Sequence, residues 1–385
     1  MIIAVNTISP EKKTTTIRGN FIYESFRRIA EQVPQNTFIF IFDRLYDHGL
    51  DRFENVIPEI IDPPIHRWLR KFWYNHKIRA VLKKYKADVF VTSNGWPIRT
   101  KIPQCLVIAD HLQIFKSSNH QISKSPNHQI SKSSNHQISK SSNHQIKKAA
   151  VIITVSEFCK KIILENYGVD ENRIHIVFSG VDEIFVAVDL DEKLKVKEQY
   201  AGGNEYFLMK GENYLRQNVL NLLKAFSVFK KRLKSNMQLM VIIHDEEKRD
   251  EFKNALLHYK YNKDVHLPAS ISMEELARLT ASAYAMVYPV YFDCTGIPLL
   301  ESMRSGVPVI ASDMTPLHEI CKDAALYIDP HNYTDIADKM LLIFKDERLR
   351  HELIGKGKHR AEKYKWEKAA ELVWSAIVKT IGNGQ

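Results

Sequence analysis

The segment Asp293-Cys-Thr-Gly-Ile-Pro-Leu-Leu-Glu301 places two carboxylates on either side of a glycine turn that opens a predicted helix. It continues into Gly306-Val-Pro-Val-Ile-Ala311, which indicates a helix C-cap followed by a short buried strand. A helix start has unpaired N–H groups and the positive end of the helix dipole, so a glycine turn there lets the backbone close on an anion such as a phosphate. Glu301, further along the same helix, could accept hydrogen bonds from the hydroxyls of a sugar or ribose. The segment therefore predicts a polar ligand site at a helix start.

Strand-like apolar runs alternate with amphipathic helical stretches along the rest of the chain, which is typical of parallel sheets covered by helices on both faces. In the first half, strands are predicted near residues 2–6, 37–42, 56–61, 88–92, 105–109 and 150–154. In the second half, they are predicted near 206–210, 238–243, 264–267, 285–289, 307–311 and 325–328, after a hinge near 180–200. The pattern predicts an α/β fold of two Rossmann-like domains. Ligands are expected at the carboxyl ends of the strands, in a cleft where the domains face each other.

Length and composition indicate a globular, intracellular protein. The 385 residues are enough for two full cores, and 44% hydrophobic with 26% charged residues are ordinary globular values. The longest apolar runs are strand-sized, and the chain starts directly with a strand-like run at Met1, so we expect neither a membrane span nor a signal peptide. The cysteines form no CxxC pair, which argues against a zinc site and a disulfide framework and for a cytoplasmic protein. They are Cys105, Cys159, Cys294 and Cys321.

The net charge of +10 indicates an anionic partner, which could be a nucleotide diphosphate, an anionic membrane surface or nucleic acid. Nucleic acid is disfavoured because no zinc-finger spacing, RNP-type motif or helix-turn-helix accompanies the basic residues. Residues 63–86 mix basic and aromatic residues at helical spacing. This stretch is either a domain helix with its aromatic residues in the core or a peripheral contact with an anionic membrane.

A repeat occupies residues 116–146, where Asn-His-Gln-Ile recurs at 119–122, 127–130, 135–138 and 143–146. Eight residues of helix rotate by about 80° more than two whole turns, so isoleucines repeated every eight residues cannot lie on one face of a helix. One apolar residue per copy is too little to offset the entropy of ordering, and a disordered loop dispensable for folding is predicted over 116–148. The repeated histidines match no metal-ligand spacing.

The opening segment resembles the acidic-x7-acidic signature of the retaining glycosyltransferases of family 4, the glycosyl transferases group 1, which have the GT-B fold. Further motifs of that family follow in its order, at residues 150–160, 174–185 and 206–226. The resemblance implies two Rossmann-like parallel-sheet domains facing a cleft. We expect an acceptor-side domain at 1–185 that contains the repeat, a donor-binding domain at 186–363, and a C-terminal helix at 364–385 that crosses back to the first domain.

The resemblance also implies a function. A retaining hexosyltransferase of this kind moves a sugar from a nucleotide diphosphate donor to a glycan or lipid-linked acceptor, in polysaccharide or cell-envelope glycan synthesis at the inner face of the membrane. It uses no metal and no other cofactor. The alternatives are a weakened GT-B protein that binds nucleotide or glycan without turnover, and a GT-B epimerase or phosphorylase.

Three residues are predicted to be catalytic. Arg216 would hold the diphosphate, because its guanidinium fork matches phosphate oxygens. Asp293 would accept hydrogen bonds from the donor sugar, with capping of the next helix as the alternative role. Asp110 matches an aspartate of the family. The resemblance assigns donor binding to Glu301, Gly19, Gly211, Gln217, Thr295, Gly296 and Ile297.

Several positions depart from the family pattern. Gln217 stands where the family usually has a lysine, a loss of charge for which Lys210 or Arg216 could compensate. Ile17 replaces the first glycine of the N-terminal loop, and Ala109 replaces the histidine that usually precedes the aspartate. Asp293 replaces a glutamate, and the repeat replaces a loop and helix on the acceptor side. These departures leave the weakened-enzyme alternative open beside the active transferase.

Overall fold

The computed structural model describes residues 1–8, 21–44, 49–62, 70–93, 98–109, 140–211, 218–269 and 271–381. These residues form two compact units. The first contains the described residues up to Gly180 together with those from Lys365 onward, and the second is Val181–Tyr364. The chain thus leaves the first unit after Gly180 and returns to it at Lys365.

The first unit is built on a parallel sheet of seven strands in the order β3-β2-β1-β4-β5-β6-β7. The order reverses beside β1, as in a doubly wound fold. The strands β1 to β7 are Ile2–Asn6, Thr37–Phe42, Val56–Ile60, Val89–Thr92, Gln104–Ile108, Val151–Thr154 and Ile174–Ile176.

The second unit is built on a parallel sheet of six strands in the order β10-β9-β8-β11-β12-β13. Its order reverses between β8 and β11, and that switch point is where open α/β sheets bind ligands. The strands β8 to β13 are Tyr206–Gly211, Gln238–Ile243, Val265–His266, Ala285–Tyr288, Val309–Ser312 and Ala325–Ile328. The prediction of two Rossmann-like sheets is confirmed.

Helices connect the strands of both sheets. Over the described ranges, the helices α1 to α13 are Phe21–Gln32, Arg70–Lys84, Lys140–Lys148, Glu157–Tyr167, Leu190–Ala201, Val219–Leu233, Glu246–Leu256, Met273–Ser282, Ile297–Arg304, Thr315–Cys321, Tyr333–Lys345, Glu347–Ala361 and Trp366–Ile381. Among these described helices, none is long and apolar enough to cross a membrane.

Local sequence explains most of these elements. The run Thr37-Phe-Ile-Phe-Ile-Phe42 forms β2, and its five apolar residues are buried because a parallel strand is covered on both faces. Helix α4 begins at Ser156, whose side chain accepts a hydrogen bond from the backbone N–H of Cys159 at 3.1 Å, and it ends at Gly168 in the left-handed conformation. Ser272 and Glu275 form a capping box at the start of α8.

The C-terminal helix α13 packs on α1 of the first unit, as the resemblance implies. The rings of Trp366 and Phe21 pack edge to face with their centroids 6.0 Å apart. Arg28 Nε donates a hydrogen bond to Glu367 at 2.7 Å. Gly180 lies against Trp366 so closely that a Cβ atom would sit 2.4 Å from the tryptophan backbone nitrogen. The last described helix therefore completes the first unit.

The prediction of a disordered loop over 116–148 is wrong at its C-terminal end. The residues before Lys140 lie outside the described ranges, but Lys140–Lys148 forms helix α3. Ile146, from the last copy of the repeat, is 3% exposed and packs against α4 and β5 in the core. Arg173 fixes the end of this helix by donating to the carbonyls of Lys147 and Ala149. Tertiary contacts therefore stabilise a copy whose own sequence has little tendency to fold.

The predicted hinge near 180–200 also contains regular structure. Leu190–Ala201 forms α5, and the side chain of Asp189 accepts from the backbone N–H of Glu192 at 2.8 Å. Gly202, in the left-handed conformation, ends the helix. The strand β7 and the helix α10 were likewise not predicted.

Candidate functional site

A turn after the carboxyl end of β11 leads into α9. The segment Asp293–Glu301 spans this turn and the start of the helix. Gly296 is the residue before the helix, with φ of +55°, which residues with a side chain rarely adopt. A Cβ atom there would also lie 2.8 Å from Ile320 Cδ1. Ile297 and Pro298 then start the helix, and proline suits this position because its missing N–H would be unpaired anyway. Backbone geometry and packing both require glycine at 296.

Asp293 holds this turn together. Its carboxylate accepts from the backbone N–H and the hydroxyl of Thr295, both at 2.9 Å, and from the backbone N–H of Gly296 at 3.1 Å. The hydroxyl of Tyr288 donates to it at 3.0 Å. The N–H groups of Thr295 and Gly296, which we expected to face a phosphate or sugar, therefore donate to Asp293 in this structure. Asp293 thus has the alternative, capping role, but the N–H groups that it caps lie in the turn just before the helix.

Glu301 lies on α9 and forms an ion pair with Lys210 of β8. The side chain of Lys210 is 3% exposed and that of Glu301 is 12% exposed, so the pair is largely withdrawn from water. The ammonium of Lys210 also lies 4.6 Å from the ring centroid of Phe185. The pair joins β8 to the helix that follows β11, and β8 and β11 are the strands that flank the switch point of the second sheet.

The electrostatics of Glu301 result from opposing effects. Burial raises the pKa of its carboxyl group, because the charged form loses hydration. The ion pair and hydrogen bond with Lys210 lower that pKa, and the negative charge of Asp182 raises it. The net direction is upward. Lys210 is thus the group that favours the ionised form of Glu301. The ammonium of Lys210 is bonded to Glu301. It is therefore not a free cation that replaces the lysine predicted at the position of Gln217.

The loop after β8 begins at Gly211, the half-buried last residue of that strand. Arg216 and Gln217 lie in this loop, outside the described residues. Asn218 follows, in the left-handed conformation with φ of 59°, and starts α6. Its side-chain amide donates to the carbonyl oxygens of Pro289 at 2.9 Å and Pro330 at 2.6 Å.

Asn218 therefore ties together the loops that follow β8, β11 and β13. The sequence gives one signal for it, an asparagine just before an apolar helix, but that signal indicates a helix cap. Its side chain makes no cap hydrogen bond and bonds to two other loops instead. Sequence reasoning assigned Asn218 no role.

A second group missed by sequence reasoning lies after β12. Asp313 Oδ1 is 2.6 Å from His318 Nε2, and the imidazole ring stacks on Tyr327 with centroids 3.8 Å apart. Asp313 and His318 are both exposed. An aspartate directly after a buried strand is the signal that could have pointed to it.

The structure brings the residues predicted for donor binding together only in part. Gly211, Thr295, Gly296, Ile297 and Glu301 lie on β8, on the turn after β11 and on α9, with Asp293 in the same turn. The remaining predicted residues, Gly19, Asp110, Arg216 and Gln217, lie outside the described ranges. Within those ranges, the structure contains no cluster of three or more His, Cys, Asp or Glu residues that could hold a metal ion.

Two parallel-sheet α/β units completed by a returning C-terminal helix are the architecture of GT-B glycosyltransferases. WaaG, a glycosyltransferase involved in lipopolysaccharide biosynthesis, superposes with a TM-score of 0.72 and 16% identity, covering 98% of this chain and 99% of WaaG. HepE from Anabaena, solved in complex with UDP-glucose, superposes with a TM-score of 0.73 and 11% identity over 98% of this chain and 100% of HepE. At these identities the likeness shows the fold.

Sequence similarity identifies the family. Residues 191–360 match the glycosyl transferases group 1, and residues 36–184 match Glycosyltransferase Family 4. The O-antigen chain mannosyltransferase B of Escherichia coli is 26% identical over 220 residues, 57% of this chain and 58% of that protein. The chain spans about half the length of the curated relatives it matches. It belongs to the group 1 glycosyltransferases.

Proposed function

We propose that this protein transfers a hexosyl residue, with mannose as the first candidate, from a nucleotide diphosphate donor to a glycan or lipid-linked acceptor. The observation that carries the proposal is the pairing of Glu301 with Lys210 across the switch point of the second sheet. That edge of the sheet is where nucleotides bind in doubly wound folds. Mannose is favoured because a similar protein is an O-antigen mannosyltransferase, and a nucleotide donor because a structural neighbour was solved with UDP-glucose.

In this proposal Glu301 accepts hydrogen bonds from neighbouring hydroxyls of the donor. A carboxylate has two acceptor oxygens, and Lys210 bonds to only one of them, Oε2. Gly211, Gln217 and Arg216 would follow the donor phosphates along the loop after β8. In the first unit, Gly19 and Asp110 would face the donor and the acceptor.

Transfer requires stabilisation of the leaving diphosphate more than a protein nucleophile. The acceptor hydroxyl oxygen bonds to the anomeric carbon while the bond from that carbon to the phosphate oxygen breaks. The hydroxyl proton passes to the departing phosphate. Attack on the face from which the phosphate leaves would retain the anomeric configuration. In this proposal Arg216 would stabilise the developing charge, and removing one pre-placed donor from such a site typically costs about 3 kcal/mol. The proposal requires no metal and no other cofactor.

Helix α2 supports a peripheral membrane contact for such an enzyme. Phe72 is 78% exposed on this helix, and the basic side chains Lys77, Lys83 and Lys84 are also exposed. The helix sequence contains no acidic residue. An exposed aromatic ring beside lysines suits an anionic membrane surface, where a lipid-linked acceptor would be presented. In this proposal, the four buried cysteine thiols suit a reducing cytoplasmic location.

Donor turnover tests the proposed function. The purified protein is incubated with GDP-mannose, UDP-glucose and ADP-glucose, with a glycan acceptor, and release of the nucleoside diphosphate is measured. We expect release from one of them, a product of unchanged anomeric configuration by NMR, and at least ~100-fold slower turnover by Glu301→Ala. The exposed Glu352→Ala is the control and should keep full activity. Nucleotide binding without release would support the binding-protein alternative.

A further inference from the structure

Lys210 is a charged residue in a strand that is otherwise apolar and buried up to this point. The four residues before it, Tyr206, Phe207, Leu208 and Met209, are fully buried. An ammonium in such a place is costly unless a counter-charge and hydrogen bonds compensate for its lost hydration. The structure supplies both through Glu301, which lies 91 positions further along the chain.

The surroundings of the pair restrict what Lys210 can contact. The ring of Phe185 lies 4.6 Å from its ammonium and is itself fully buried. The charged groups that act on Glu301 are Lys210 from β8 and Asp182 from the segment before α5. Asp182 is held in place by accepting from the backbone N–H of Ile184 at 3.1 Å. Asp182 thus adds a second negative charge that acts on Glu301, and the cation Lys210 is bonded to Glu301.

We propose that Lys210 is a positioning residue that holds Glu301 ionised and fixes Oε2, so that Oε1 is presented as an acceptor to two neighbouring hydroxyls of the donor. The proposal rests on the proposed function and adds to it Lys210, whose only role expected from sequence was compensation for the missing phosphate-binding lysine. Among the described residues, none donates a hydrogen bond to Oε1. With 3% exposure and its ammonium beside Phe185, Lys210 reaches the ligand only through Glu301.

The pH dependence of nucleotide binding distinguishes positioning from simple packing. GDP is titrated calorimetrically into the wild-type protein and into Lys210→Met between pH 5.5 and 8.5, with UDP as the alternative if GDP does not bind. Without the ammonium, the pKa of Glu301 rises further. We expect Lys210→Met to bind more weakly, by up to tenfold for each pH unit below that pKa, and to recover wild-type affinity at high pH.

Three variants serve as controls. Lys210→Arg keeps the charge and should keep the wild-type pH profile. Lys210→Met combined with Glu301→Gln should bind weakly, with no pH dependence beyond that of the nucleotide's own phosphate, because the titrating carboxylate is gone. Glu301→Gln alone should also bind weakly and should be less stable than the double variant, because it leaves the buried ammonium of Lys210 without its counter-charge. A uniform loss of affinity across the pH range in Lys210→Met, parallel to the wild-type profile, would overturn the proposal.

A second measurement separates this inference from the proposed function. The unfolding of Lys210→Met and of the double variant is followed against pH without any nucleotide. If Lys210 keeps Glu301 ionised, the single variant loses stability relative to the double variant as pH rises from the ordinary range of a glutamate to the raised pKa. Identical pH profiles contradict the inference, even if nucleotide binds. If the wild-type protein binds no nucleotide, the proposed function is wrong. The unfolding measurement still tests whether Lys210 keeps Glu301 ionised. Lys210→Gln replaces Lys210→Met if the latter does not fold.

Discussion

The side-chain amide of Asn218 donates a hydrogen bond to the carbonyl of Pro330, 112 positions further along the chain, at 2.6 Å. A second bond reaches Pro289. One buried side chain thereby fixes three loops at the carboxyl edge of the second sheet. The shape of the candidate donor site depends on these bonds as much as on the residues expected to touch the donor.

Replacing Asn218 should destabilise the second unit and weaken donor binding. Asn218→Ala removes two buried hydrogen bonds and places alanine at φ of 59°. Each lost bond costs about 1 kcal/mol and the backbone conformation about 1–2 kcal/mol more. Asn218→Gly removes the bonds but tolerates the backbone, so it should be less harmful. Asn221→Ala, which removes one bond to Pro330, is the control. Urea unfolding measures all three, and equal losses for Asn218→Ala and Asn221→Ala would contradict the role.

Asp293 should contribute to stability as well as to activity. Asp293→Ala removes the carboxylate to which the hydroxyl of Tyr288 and the N–H groups of Thr295 and Gly296 donate. We expect a loss of about 1–3 kcal/mol in the free energy of unfolding, the range for orphaned buried donors. Thr295→Val removes only the hydroxyl bond and should cost less. A normal melting temperature with abolished turnover would instead assign Asp293 to the donor alone.

Gly296→Ala should be strongly destabilising. The added methyl group meets Ile320 at 2.8 Å, and φ of +55° is unfavourable for alanine. Gly355→Ala is the matched control, because a Cβ atom at this position in α12 meets nothing within 4 Å. Alanine within a helix is favoured over glycine by about 0.5–1 kcal/mol, so this variant should be slightly more stable. Thermal unfolding of the two variants should therefore shift in opposite directions.

The last copy of the repeat should be needed for stability. Ile146→Ala removes a side chain that is 3% exposed in the core of the first unit, and such changes cost about 2–5 kcal/mol. The corresponding isoleucine of the preceding copy, Ile138, provides the comparison. That the earlier copies are dispensable stays a prediction, and Ile138→Ala tests it. Similar losses in both variants would show that it is wrong.

Gln217→Lys supplies the charge that the resemblance to family 4 predicts before α6. If a phosphate contact has been lost, the lysine should tighten nucleotide diphosphate binding by about 1–3 kcal/mol. The present structure removes one competing explanation, because Lys210 is already paired with Glu301. Calorimetric titration decides, and unchanged or weaker binding by the lysine variant would leave Gln217 as an ordinary residue before a helix.

Local patterns predicted the elements whose signals lie within a few neighbouring residues. The strand at 37–42 has the predicted bounds. Helix α5 was missed although Asp189 is a regular N-cap, because its leucines Leu190 and Leu194 are exposed and its buried residues, Val196, Lys197 and Ala201, form a weak apolar pattern. Helix α3 was missed because the copies have the same sequence, which does not show that the last copy packs against α4 and β5.

The candidate site shows the same limit. The glycine turn and Glu301 follow from sequence, since helix starts have recognisable residues. The pairing of Lys210 with Glu301 joins positions far apart in the chain, and the bonds of Asn218 cross three loops. Nothing in the sequence of Lys210 and its neighbours shows which carboxylate lies nearest. Such contacts depend on strand order, which is a property of the folded sheet.

The backbone N–H of Val181 donates to the carbonyl of Tyr364 at 3.0 Å, which joins the first and last residues of the second unit. During synthesis, every residue of the second unit is added to the chain before Trp366 and the rest of α13. Domains generally fold as units while the chain grows. The first unit, although it begins at Met1, must therefore wait for its last helix, while the second unit can close on itself. The N-terminal half of this chain is made first and finished last.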